Sequence, residues 1–150
     1  MRFLSKVFAK SPTSRPQIND PVLGPVIFNS NERLWQASVS FDGSYIYIGI
    51  KGDEAPSQVL LERAREIAEA APGFRGRLAE FLKSESIAHF SNIPHQEMYQ
   101  REISVLELDQ LLLLFPDKPN LAFAVLAGGT LGKWSVDMDR NTFLALIGPE

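Results

Sequence analysis

The chain has 150 residues, 45% of them apolar and 22% charged, with a formal net charge of -3 and no cysteine. That is enough chain for one hydrophobic core and too much apolar content for a disordered polypeptide. The acidic balance speaks against nucleic acid as a partner, because phosphate binding draws on an excess of Lys and Arg, and the missing cysteines exclude disulfides, thiol nucleophiles and thiolate zinc sites and point to a reducing, cytoplasmic location.

No stretch approaches the roughly 18 consecutive apolar residues that mark a transmembrane helix. Residues 2–10, read as a helix, put Phe3, Leu4, Val7 and Phe8 on one face and Arg2, Lys6 and Lys10 on the other, an amphipathic segment suited to a membrane surface or to docking. Lys6 interrupts its apolar run and no small-residue cleavage site follows, so a secretory signal is not expected. Residues 11–21 carry Pro12, Pro16 and Pro21 with little apolar content and read as a linker. The expected organisation is an N-terminal segment and linker over 1–21 and a single α+β domain over 22–150.

Three strands are expected at 24–29, 34–41 and 44–51. In the second, Trp35, Ala37, Val39 and Phe41 alternate with polar residues; in the third, Ile46, Ile48 and Ile50 alternate with Tyr45, Tyr47 and Gly49. Asp42-Gly43 between them is the favoured pair for a tight hairpin with positive φ. Pro56 then opens a helix whose buried stripe is Leu60, Ala64, Ile67, Ala68 and Ala71, with Glu62, Arg63, Arg65, Glu66 and Glu69 solvated. Pro72-Gly73 stops it, and a second helix over 74–88 buries Phe74, Leu78, Phe81 and Leu82. Residues 89–103 lack periodicity and read as a loop. Ser104 and Glu107 have capping-box spacing at the head of the run Leu106, Leu108, Leu111, Leu112 and Phe115, which predicts a third, deeply buried helix ending at Pro116. Strands return at 121–127, 133–138 and 142–147. The fold class is thus α+β: a βββ meander, two to three amphipathic helices, then a second three-stranded antiparallel block, with the helices packed on the sheet.

The chemistry-bearing patterns are few. The run from Ala127 to Trp134, with Gly128, Gly129, Gly132 and Lys133, is similar to a phosphate-binding loop, but Ala127 replaces its first glycine and Trp134 its hydroxyl residue. A strand rather than a helix follows, so no dipole faces a phosphate. Asp137, Asp139 and Asn141 begin like a calcium loop, yet Thr142 and Gly148 stand where glycine and a bidentate glutamate are needed, and a polar turn accounts for the run. His89, His95 and Glu97, with Tyr99 nearby, are the candidate catalytic cluster, and Asp137 is the carboxylate they would need to meet. Their spacing fits no metal site, and neither a metal nor a cofactor is expected. Trp35 and Trp134 share strand faces with apolar neighbours and are expected in the core. Tyr45 and Tyr47, with Tyr99, are the candidate partner-binding residues.

The pattern of Asp20, Pro21 and Gly24, followed by Trp35 in a hairpin, the turn at Asp42-Gly43, and Gly52-Asp53 before an amphipathic helix, resembles a loosely defined group of small uncharacterised bacterial proteins. The closing strands, from Lys133-Trp134 to Ile147-Gly148, resemble those of the same group, and the likeness spans about 125 residues. Some members lie in toxin and immunity neighbourhoods. The resemblance implies a protein-binding role and carries over no site residues. The expected function is a non-enzymatic, immunity-type or accessory protein-interaction domain, which uses the outer sheet face or the 89–103 segment. The alternative is a small hydrolase or ligand-binding enzyme that uses His89, His95 and Glu97. An unpaired strand edge leaves room for a dimer without specifying one.

Overall fold

The computed structural model describes residues 15–150, so the amphipathic 2–10 segment lies outside the described residues. Over these residues the fold is α+β, with three helices and one eight-stranded, mostly antiparallel sheet. The elements in chain order are β1 (Gln17–Asp20), β2 (Gly24–Asn29), β3 (Leu34–Phe41) and β4 (Ser44–Ile50), then α1 (Gln58–Glu69), α2 (Phe74–His89) and α3 (Gln96–Ser104). They are followed by β5 (Glu107–Leu113), β6 (Leu121–Ala127), β7 (Trp134–Asp139) and β8 (Thr142–Ile147). The strands stand in the sheet in sequence order, β1 to β8. Each neighbouring pair is antiparallel except β4 with β5, which run parallel with Tyr47 opposite Gln110 and Ile50 opposite Leu113. A parallel pair cannot be closed by a tight turn. The three helices are that connection.

The hairpin of β3 and β4 forms over nearly the expected residues, with Asp42 at φ 55° and Gly43 at φ 93° in its turn. Two elements differ from the sequence reading. Each three-stranded block is in fact four-stranded. β1 occupies the end of the segment read as linker, where Gln17 to Asp20 pair with β2 through the backbone although only Ile18 among them is apolar. The predicted helix at 106–115 is β5. Its leucines mimic helical spacing because of a bulge between Leu108 and Gln110, which lets Leu108 and Leu111, three residues apart, both face the core. Ser104 ends α3 rather than capping a new helix, and its hydroxyl donates to the Arg101 carbonyl at 2.6 Å. The 89–103 loop is correspondingly shorter, since residues from Gln96 onward are helical.

The core lies between the helices and one face of the sheet. Ile48, Ile50, Leu111, Leu113, Ala124 and Val136 are fully buried there beneath Leu60, Ile67, Phe74 and Leu78. The Phe74 ring lies 5.1 Å from that of Phe41 and 5.3 Å from that of Phe143. Phe41 ends β3 and Phe143 lies in β8, strands that would be about 24 Å apart across five spacings of a flat sheet. The sheet therefore twists and curls around α2, and its outward face bears no helix among the described residues.

The alternation in β5 separates a core leucine from its neighbour. Leu111→Ala, at a fully buried position, is expected to cost about 2–5 kcal/mol and Leu112→Ala, on the half-buried helix-free side, less than half as much. Denaturant unfolding of the two variants measures the difference, and equal losses would contradict the strand alternation.

Candidate functional site

Three carboxylates join the loops of the sheet to the helical layer. Asp20 is buried at the end of β1 and accepts from the backbone N–H groups of Val22 and Leu23, both at 3.0 Å. Its Oδ1 also accepts from Arg65 Nε at 2.8 Å and Nη2 at 2.5 Å, so Arg65 is tied to the sheet rather than solvated as the helical pattern implied. The Arg65 guanidinium and then the two backbone donors hold the Asp20 carboxyl below its ordinary value. Asp42 reaches from the β3–β4 turn to the start of α2, which has no capping side chain of its own. It accepts from the N–H of Gly73 at 2.7 Å and of Arg75 at 3.0 Å, and these donors lower its pKa. Arg75 Nε returns a bond to the Phe41 carbonyl at 2.8 Å.

The third carboxylate is Glu102, a buried side chain of α3. It accepts from the N–H of Thr130 at 2.8 Å, the N–H of Leu131 at 2.7 Å, the Thr130 hydroxyl at 3.4 Å and Trp134 Nε1 at 3.1 Å. The glycine-rich loop similar to a phosphate cradle thus already holds an anion, supplied by the chain itself. A Cβ at Gly129 would come 2.5 Å from Glu102 Oε2, which explains why that position has no side chain. The Thr130 N–H, then Leu131 and Trp134, hold the Glu102 carboxyl below its ordinary value.

The proposed catalytic residues do not converge. His89 ends α2 with an exposed side chain, its Nε2 3.5 Å from Glu85 Oε2. His95 precedes α3 with φ 62° and is exposed, as is Glu97 in the first turn. Those two line a shallow open concavity with Met98 and Arg101. Asp137 alternates with buried Val136 and Met138 and pairs across to Phe123 and Ala145, so the sheet stands between it and the histidines. Among the described residues no three His, Asp or Glu side chains are grouped to hold a metal ion. The Asp137-Asn141 run forms the β7–β8 turn, with Arg140 at φ 55°.

The aromatic candidates divide between the two sides of the sheet. Trp35 and Trp134 are in the core, each 2% exposed. Tyr99 is half-buried on the helical side, its ring 5.1 Å from Phe90. Tyr45 and Tyr47 are 74% and 53% exposed on the helix-free face. There Tyr47 stands between Ser38 and Gln110, and the neighbouring row places Gly49 beside Leu112 and then Phe123. A Cβ on Gly49 would lie 3.0 Å from side-chain carbons of both Leu34 and Leu112, so these leucines close over the glycine and the face carries its own small apolar cluster. Phe115, 43% exposed, stacks edge-on against Phe123 at 6.0 Å. A polar chain borders the cluster, with Asn29 Nδ2 donating to Gln36 Oε1 at 3.2 Å and Gln36 Nε2 to Glu32 Oε2 at 3.1 Å.

None of the three joints was visible as a site in the sequence. Asp20 in its D-P-x-x-G run and Asp42 in its hairpin pair carried a local turn signal; Glu102, one acidic residue in a polar helix, carried none.

The three carboxylates make the fold acid-sensitive in a defined direction. Each binds its proton less readily folded than unfolded, so its contribution is whole above the ordinary values of 3.8 for Asp and 4.5 for Glu and fades as pH falls through the depressed folded values. Glu102→Gln turns an amide N–H₂ toward donors and is expected to lower the melting temperature at pH 7 while flattening its decline between about pH 5 and pH 3. Calorimetry across that range checks it. An unchanged acid slope would remove Glu102 from the account. No protein-family model, no curated protein and no solved structure matches this chain.

Proposed function

We propose that the chain is a cytoplasmic, non-enzymatic protein-interaction domain of immunity or accessory type, which receives one protein partner on the helix-free face of its sheet. The observation that carries this reading is the exposure of Tyr45 and Tyr47 on a face where Leu112, Val125, Phe123 and Phe115 continue the apolar surface. Soluble domains rarely leave such aromatics together without a use, and an apolar, aromatic centre bordered by polar groups is the usual anatomy of an interface. Tyrosine suits the centre, because it brings a large rigid area with few torsions to freeze and a hydroxyl that hydrogen-bonds at the rim. The immunity-type assignment draws on the likeness of the 20–24 segment and the Trp35 hairpin to proteins from toxin and immunity neighbourhoods.

Tyr45 and Tyr47 are exposed and stand outside the core cluster, so their loss is expected to leave the fold intact. Tyr45→Ala with Tyr47→Ala is expected to weaken partner binding by about 100-fold, near 2.7 kcal/mol, with an unchanged melting temperature. Affinity capture from host lysate with both proteins, then hydrogen exchange on the recovered complex, reads this out. Protection confined to residues 44–50 and 110–125 supports the helix-free face; protection confined to the helices, or equal capture by the variant, rejects it.

A further inference from the structure

The helical layer contains a second apolar surface, unrelated to the tyrosine face. Along α2, Ala79, Leu82 and Ser86, and Ala79, Lys83 and Ile87, recur at three- and four-residue intervals on the side away from Phe81 and Glu85. They form one wall of a groove of about 450 Å³, whose other wall is Gln100, Ile103 and Leu106. A further groove of about 280 Å³ shares Ala79, Leu82, Ser104 and Leu106 and runs on toward Arg75 and Val105. Together they follow α2 from Arg75 to Ile87, about 18 Å at 1.5 Å per residue. The first alone lies inside the roughly 300–1,000 Å³ range of small-molecule sites, and it has their usual lining of apolar side chains with a few polar ones.

The shape and charge of the groove select its occupant. Leu82, Ser86, Ile103 and Leu106 line the groove yet keep only 2–8% exposure. The floor therefore offers little accessible area, too little to seat the apolar stripe of a partner helix and enough for one narrow apolar chain. One mouth is apolar, with Ile87 60% exposed, while at the other end Val105, 52% exposed, stands with the charged Arg75 and Glu107. Lys83 is the ionised side chain lining the larger groove, and it makes no ion pair among the described residues. Its ammonium repels the basic side chains Arg2, Lys6 and Lys10 and, across a twofold axis, its own copy. An anionic head on an apolar tail satisfies both features.

We propose that the slot between α2 and α3 binds one unbranched acyl chain, with the tail against Leu82, Ile103 and Leu106 and the anionic head at Lys83. Ser86 and Gln100 are the polar groups placed beside the chain. The site stands independently of the tyrosine face and adds a lipid-like ligand to a protein partner.

Titration of the full chain with tetradecanoate below its micellar concentration, followed by calorimetry and native mass spectrometry, tests it. One equivalent is expected to bind. Lys83→Ala should weaken the carboxylate about tenfold, near 1.4 kcal/mol, and leave binding of the methyl ester unchanged. Ala79 and Ile87 are exposed, so Ala79→Trp, which fills the shared wall, and Ile87→Asp, which charges the mouth, should each abolish binding of both probes without lowering the melting temperature. The Tyr45→Ala/Tyr47→Ala protein should bind as the natural chain does. Failure of the natural chain to bind, binding undiminished by both slot variants, or equal loss of acid and ester in Lys83→Ala would overturn the assignment.

Discussion

The parallel pairing of β4 with β5 is the constraint on which the rest depends. Every other neighbouring pair is antiparallel and closed locally, but this one needs a connection that crosses the sheet before the chain re-enters it. The chain spends α1, α2 and α3 on that crossing, and a single crossing covers a single face. Both faces of an eight-stranded sheet would need helices before and after the pair, and none of the described residues outside 58–104 is helical. The bare face, the curl around α2 and the placement of Tyr45 and Tyr47 follow from one topological choice.

A one-sided layer is prone to slide, because hydrophobic contact is not directional. The three carboxylates supply direction. Asp20 fixes α1 to the outer edge strand, Asp42 fixes the start of α2 to the β3–β4 turn, and Glu102 fixes α3 to the loop before β7. Each reaches backbone N–H groups that would otherwise lack partners, so each satisfies groups the fold must satisfy anyway while setting the position of a helix. Their separation in sequence, from 28 to 45 residues for the Thr130–Glu102 and Arg65–Asp20 bonds, makes them tertiary rather than local devices.

What the sequence discloses follows the same division. Elements whose side chains alternate or recur without interruption were legible: β3 and β4 through Trp35 to Ile50, α2 through Phe74, Leu78 and Leu82, and β6 to within a residue. β1 was hidden because only Ile18 of its four residues is apolar, and its pairing with β2 runs through the backbone. β5 was misread because a bulged residue turns a period of two into an apparent three. α3 escaped because its inward side includes the ionised Glu102, and charge on a helix ordinarily faces water. The separation of Asp137 from His89 and His95 was equally invisible, since only the sheet decides which way β7 side chains point.

The two apolar surfaces left open among the described residues have different origins, and this bears on how they can act. The tyrosine face is what the crossing leaves uncovered, a broad surface fixed by the sheet and little affected by the helices. The slot exists because α3, with nine residues, is too short to cover the flank of α2, with sixteen. Its width depends on where α3 sits, and α3 is held by Glu102, whose neighbour Ile103 forms part of the slot wall. A carboxylate bond to the loop before β7 thus sets the gap in which a chain of methylenes would lie. Occupancy of that gap adds contacts to α3 and to the Glu102 joint and leaves the tyrosine face as the sheet made it, so the two surfaces are built to bind independently.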